Sequence, residues 1–175
     1  MIQDCHTSSG EAATGLILEV FKLNGRLLAE GDKLVAGLGL TSARWQVLGA
    51  IALAARAEPV AHLARNMGLT RQGVQRIVDE FVREGFARFD ENPHHRRAKL
   101  VALTDRGRET YEGAARLQIP WANAVAEGLG AAEIRDAASM LKILRERLEY
   151  RELTRRESGD VALLRMGGVR LSPHT

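Results

Sequence analysis

A mainly helical fold carrying one short β-hairpin is what this sequence predicts, and three observations predict it. Apolar residues recur at helical spacing through most of the chain, one stretch after Gly85 switches to strand-like alternation, and threonines and glycines stand where helices should start and stop. The chain has 175 residues, 45% apolar and 27% charged, the composition of a globular domain with an ordinary core. The first ten residues are polar and no apolar run approaches the roughly 18–20 residues of a membrane span, so the sequence reads as cytoplasmic. The single cysteine, Cys5, excludes an intrachain disulfide scaffold.

The elements follow in order. Leu16, Val20, Leu23, Leu27 and Leu34 lie on one stripe of a long first helix, which Gly37-Leu38-Gly39 ends. Thr41 caps a second helix, where Trp45, Leu48, Ala52 and Ala55 recur at spacings of three and four, and Leu40 and Trp45 are placed to staple its start. A short helix after Pro59 turns Leu63, Ala64 and Met67 inward and stops at Gly68. Thr70 then caps a further helix, with Leu69 placed to staple onto Val74. Val74, Ile77, Val78, Phe81 and Val82 form its buried stripe, and Gly85 closes it. The opposite face presents Arg71, Gln72, Gln75, Arg76 and Asp79. A short helix, a turn and a second helix with an outward Arg/Gln face make a helix-turn-helix.

Beyond Gly85, Phe86–Asp90 and Ala98–Leu103 read as a two-stranded hairpin around a cationic tip, with Asn92-Pro93 marking the turn. A helix-turn-helix followed by such a hairpin is a winged helix. Thr104 caps another helix through Tyr111 towards Gln118, where Pro120 should kink or interrupt it. After Gly128-Leu129-Gly130, the residues Ile134, Ala137, Leu141, Leu144 and Leu148 form a seam too short for a free coiled coil. It suits packing against the first helix of the same or a partner chain. From Arg151 the pattern decays into a variable arm.

Charge placement says more than the net +3. Arg65, Arg71 and Arg76 occur without an acid between Arg65 and Val78. Arg96, Arg97, Lys99, Arg106 and Arg108 face only Asp105 between His94 and Arg108. Local cationic patches on a nearly balanced chain suit a polyanion.

The segments Leu69-Thr70-Arg71-Gln72-Gly73-Val74-Gln75-Arg76-Ile77-Val78, Asn92-Pro93-His94-His95-Arg96-Arg97-Ala98-Lys99-Leu100-Val101 and Leu103-Thr104-Asp105-Arg106-Gly107 together resemble the MarR family of bacterial transcription regulators. Thr41 to Leu48 is similar to that family's second helix, and the likeness runs from about Gly15 to Glu149. The resemblance implies a triangular homodimer, with first and last helices interleaved as a dimerisation domain and a winged helix at each corner. It also implies repression relieved by a small ligand or by oxidation. Residues 1–10 are then a tail, 11–40 the first dimerisation helix, 41–103 the DNA-binding domain with its recognition helix at 70–84 and wing at 86–103, 104–150 the C-terminal dimerisation helices, and 151–175 the arm. Two departures stand out: His95 occupies a position where the family often has an aspartate paired to the wing arginine, here Arg97, and Gly73 sits third in the recognition helix.

The chemistry agrees with a double-stranded DNA partner. Forked guanidiniums read guanine and glutamine amides pair with adenine in the major groove, which suits Arg71, Gln72, Gln75 and Arg76; Thr70 at the helix start suits a phosphate. Arg96, Arg97 and Lys99 on the wing suit the electronegative minor groove. Twofold symmetry then predicts a pseudo-palindromic operator. Arg44, Trp45 and His62 are the candidate residues for a small, anionic aromatic effector, although Trp45 also reads as core and Arg44 as an ion-pair residue. Cys5 offers redox sensing as an alternative, and a winged helix that binds protein instead of DNA is a second. The five histidines and one cysteine show no metal-ligand spacing. With no nucleophile elbow, carboxylate pair or phosphate loop, neither an enzyme nor a cofactor is expected.

Overall fold

The computed structural model describes residues 6–95 and 97–166, with side chains of the last helix described through Arg151 and at Thr154. Cys5, Arg96 and the arm beyond Met166 therefore lie outside the described residues. The chain divides into two compact units, Met1–Val125 and Ala126–Thr175.

The first unit opens with α1 (Ser8–Val35), whose end tightens into a 3-10 turn over Ala36–Leu38 and reverses at Gly39. Gly39 has φ 69°, the left-handed conformation that suits glycine at a helix end. The following α2 (Ser42–Leu53) starts where the Thr41 hydroxyl accepts the Arg44 N–H at 3.3 Å. From α1, the Asp32 carboxylate also accepts the Ser42 N–H, so one helix caps the next. Leu40 is buried and Trp45 half-buried, as a staple around that cap requires.

A two-residue strand β1 (Glu58–Pro59) leads into α3 (Val60–Asn66) and, across Gly68 with φ 65°, into α4 (Arg71–Glu84). The Thr70 hydroxyl accepts the Gly73 N–H at 3.2 Å, and Gly85, at φ 78°, closes α4. Val74, Ile77, Val78 and Phe81 are buried, but Leu69 keeps 48% of its surface exposed instead of joining Val74 in the core.

The wing differs from the sequence expectation. β2 (Ala87–Asp90) and β3 (Leu100–Leu103) pair antiparallel, Ala87 opposite Leu103 and Asp90 opposite Leu100. β3 also pairs with β1, Glu58 opposite Val101, so the sheet has three strands in the order β1-β3-β2. Two residues are too few to show alternation, and Pro59 tolerates only an edge position, which is why the third strand carries no sequence signal.

Helix α5 (Asp105–Val125) closes the unit, and Pro120 lies inside it without ending it. Proline removes one backbone donor, which is insufficient to break this helix. The shared core gathers Val35, Leu40, Val47, Leu48, Val60, Leu63, Val74, Val78, Phe81, Val101 and Ala114, each nearly inaccessible.

The second unit is dominated by α6 (Ala131–Met166), whose Gly130 N–H is accepted by the Glu133 carboxylate at 3.2 Å. Its helix continues well past Arg151, where the sequence suggested an arm. Ile134, Met140, Leu141, Ile143, Leu148 and Tyr150 are all exposed. Exposed apolar residues also line α1: Ile17, Leu18, Phe21, Leu23 and Leu27. Among the described residues no single helix is long and apolar enough to cross a membrane.

Candidate nucleic-acid interface

Helix α4 is held by its apolar stripe, and this orientation forces its polar face outward. Arg71, Gln72, Gln75, Arg76, Asp79, Glu80 and Arg83 line one shallow open surface along it. Arg71, Gln72 and Arg76 are exposed and, among the described residues, make no hydrogen bond, ion pair or ring contact. Arg71 and Gln72 open the helix, where the free backbone N–H groups add positive potential; Asp79 and Glu80 fall in later turns. Gln75 is different: half-buried, it donates from Nε2 to Asp79 Oδ1 at 2.9 Å. Thr70 spends one lone pair on the Gly73 cap and keeps its hydroxyl proton available.

The wing tip is organised by Asn92. Its Nδ2 donates to the Ala98 carbonyl at 2.9 Å, and its Oδ1 accepts the His94 N–H at 3.0 Å. The Ala98 N–H donates to the His95 carbonyl at 2.9 Å, closing the loop a second time. Arg97 is exposed and has no partner among the described residues, in keeping with His95 standing where an acid would have held it. Lys99 is exposed, with Nζ 5.9 Å from the Phe89 ring centre.

Among the described residues the candidate effector residues share no hydrogen bond, ion pair or ring contact. Arg44, from the start of α2, pairs its Nη2 with Glu84 Oε2 at the end of α4, and its guanidinium carbon lies 5.1 Å above the Phe81 ring. Its Nε is buried with no hydrogen-bond partner among the described residues. Trp45 packs half-buried against the core, while His62 is exposed on α3 and makes no hydrogen bond, ion pair or ring contact among the described residues.

Sequence reasoning gave Thr104 only the cap of the following helix, which it is, but the same residue also anchors a junction that holds the wing behind α4. Thr104 Oγ1 donates to the Gly85 carbonyl at 2.7 Å and accepts the Gly107 N–H at 3.1 Å, while its own N–H donates to the Phe86 carbonyl at 3.1 Å. Arg106 Nη1 donates to the Glu84 carbonyl at 2.8 Å, and its guanidinium lies 4.5 Å above the Phe86 ring. Gly107 sits so close to the residue that leads into β2 that a Cβ there would fall 1.9 Å from the Phe86 carbonyl oxygen. The Leu-Thr-x-x-Gly spacing was visible, but its partners lie about twenty residues earlier, beyond the reach of any local pattern.

A helix-turn-helix with a free cationic face, backed by a three-stranded wing, defines a winged-helix DNA-binding protein. The known relatives make that class specific. The profile described as MarR family matches residues 38–98, from the end of α1 to the wing tip. The uncharacterised protein Rv2011c of Mycobacterium tuberculosis is 35% identical over 127 residues, covering 73% of this chain and 87% of its own. The transcriptional activatory protein BadR of Rhodopseudomonas palustris is 30% identical over 104 residues, covering 58% of this chain and 59% of its own. The crystal structure of the M. tuberculosis regulator MosR in complex with DNA matches in fold with TM-score 0.63 at 22% identity, covering 75% of this chain and 96% of that one. The chain belongs to the MarR family of transcription regulators.

Proposed function

We propose that this chain acts as a homodimer that binds a pseudo-palindromic operator, inserting α4 into successive major grooves and the wing into the flanking minor groove. The observation that carries the reading is the free state of Arg71, Gln72 and Arg76: three exposed donors on one face of a buried-backed helix, with no partner among the described residues. Asp79 and Glu80 stand three and four residues after Arg76, the spacing at which helix ion pairs form, yet among the described residues Arg76 pairs with neither. MosR, whose fold this chain shares, has been crystallised with DNA. Twofold assembly is supported by the exposed apolar rows on α1 and α6, which two chains would cover.

The test is fluorescence anisotropy on duplexes from the protein's own upstream region. Arg71→Ala or Arg76→Ala should each cost about 1–3 kcal/mol of discrimination while the dimer stays folded. Unchanged affinity in both variants overturns the assignment. Regulation would be repression released by a small anionic aromatic ligand, for which Arg44, Trp45 and His62 are the candidate residues, with the partly exposed Arg44 cation as its charge partner. Titration calorimetry with aromatic carboxylates should give heat that Arg44→Ala abolishes. A promoter reporter decides between repression and the activation named for BadR.

A further inference from the structure

We propose that Arg44 and Arg106 are positioning residues for DNA recognition, a pair of guanidiniums from α2 and α5 that clasp the last turn of α4 and aim its first turn at the bases. The inference rests on the DNA-reading role of α4 and adds what sets that helix's direction. Both arginines close on the same residue. Arg44 pairs with the Glu84 carboxylate, and Arg106 donates to the Glu84 backbone carbonyl at 2.8 Å. Each also covers a phenylalanine: Arg44 lies over Phe81 and Arg106 over Phe86. The two rings meet edge to face, 5.9 Å apart at 82°, so the order Arg44–Phe81–Phe86–Arg106 is one continuous stack around the helix end.

Geometry explains why a clasp at this end governs the other. Val74, Ile77 and Val78 seat α4 in the core, but apolar burial is non-directional and tolerates small rotations. Ion pairs and hydrogen bonds to Glu84 have preferred angles. From Glu84 back to Arg71 the helix spans about 20 Å, so a tilt of about 5° at the clasp displaces Arg71 by about 1.7 Å. A base-reading contact tolerates about 0.5 Å. The Arg44 side chain keeps only 17% of its surface, consistent with a strut, whereas Arg71 and Arg76 are exposed.

The discriminating measurement compares affinity for a duplex enriched by the wild-type protein from a random-sequence pool with affinity for a scrambled duplex of the same composition. Arg44→Gln and Arg106→Gln are each expected to lower the ratio about tenfold, with scrambled-duplex affinity unchanged within about twofold, because phosphate contacts remain. Arg44→Lys keeps the charge opposite Glu84 and should recover part of the ratio. Glu84→Gln added to Arg44→Gln should cost little more, since the two residues act as one unit. All are read well below each variant's melting temperature, with folded content checked by circular dichroism. Ratios equal to wild type in both arginine variants overturn the clasp, as do selected and scrambled affinities that fall together. A wild-type protein that enriches no sequence removes the DNA-reading role itself, a failure recognisable before any variant is made.

Discussion

Replacing Gly107 with alanine sets two effects of opposite sign against each other. Alanine outranks glycine by about 1 kcal/mol in a helix interior and by less at Gly107, third in α5, so intrinsic propensity predicts a slightly more stable protein. Close approach predicts the reverse. The new Cβ would lie 1.9 Å from the Phe86 carbonyl oxygen and 2.9 Å from its carbon, both backbone atoms that no rotamer change can move. Reaching even 3.0 Å requires α5 and the start of β2 to separate by about 1.1 Å, which carries the Thr104 N–H, now 3.1 Å from that oxygen, out of bonding range. Overpacking costs about 1–3 kcal/mol and a lost hydrogen bond about 1 kcal/mol. The net expectation is destabilisation by about 2 kcal/mol, a fall of roughly 6–8 °C in Tm for a unit of this size. Gly49→Ala is the matched contrast: its Cβ would rest 3.7 Å from Tyr111 Cε2, an ordinary contact, so it should gain up to about 1 kcal/mol. Urea and thermal unfolding of both variants settle the point. A Gly107→Ala protein as stable as wild type refutes the claim that α5 and the wing are in hard contact.

Phe21→Glu tests the proposed dimer. Phe21 keeps 68% of its surface exposed within one chain, so the folded chain should keep its helical signal while light scattering on dilution shows monomer at concentrations where wild type remains dimeric. Identical dissociation curves would remove α1 from the interface. Asn92→Ala removes both side-chain bonds that close the wing tip, each worth about 0.5–1.5 kcal/mol locally. Amide exchange at His94 should accelerate about tenfold and affinity for the enriched duplex should fall; an unaltered exchange rate shows that Asn92 does not organise the tip.

Much of the interface was legible because it depends on neighbours in the chain. The Thr70 hydroxyl meets the Gly73 N–H three residues on, Gly39, Gly68 and Gly85 take positive φ where helices turn, and the 3.6-residue period buries Val74, Ile77, Val78 and Phe81. Once that stripe faces inward, Arg71, Gln72 and Arg76 have only the outward side to occupy. The same periodic reasoning was less informative for Leu23 and Leu27, which share the apolar stripe of α1 yet remain exposed, because period reports which residues want cover and not what supplies it.

The amino-acid order by itself therefore determined the caps, the turns, the run of helices and the face that α4 presents, all set by contacts within a few residues. Only the tertiary structure decided that β1 joins the wing, that helix survives Pro120, that Gln75 is tied to Asp79, and that Arg44 and Arg106 converge on Glu84. Arg44 and Arg106 reach Glu84 across 40 and 22 residues of chain, and such separations leave no periodic trace. What joins them is the way α2, α4 and α5 pack around one core, which places side chains by shape and not by spacing.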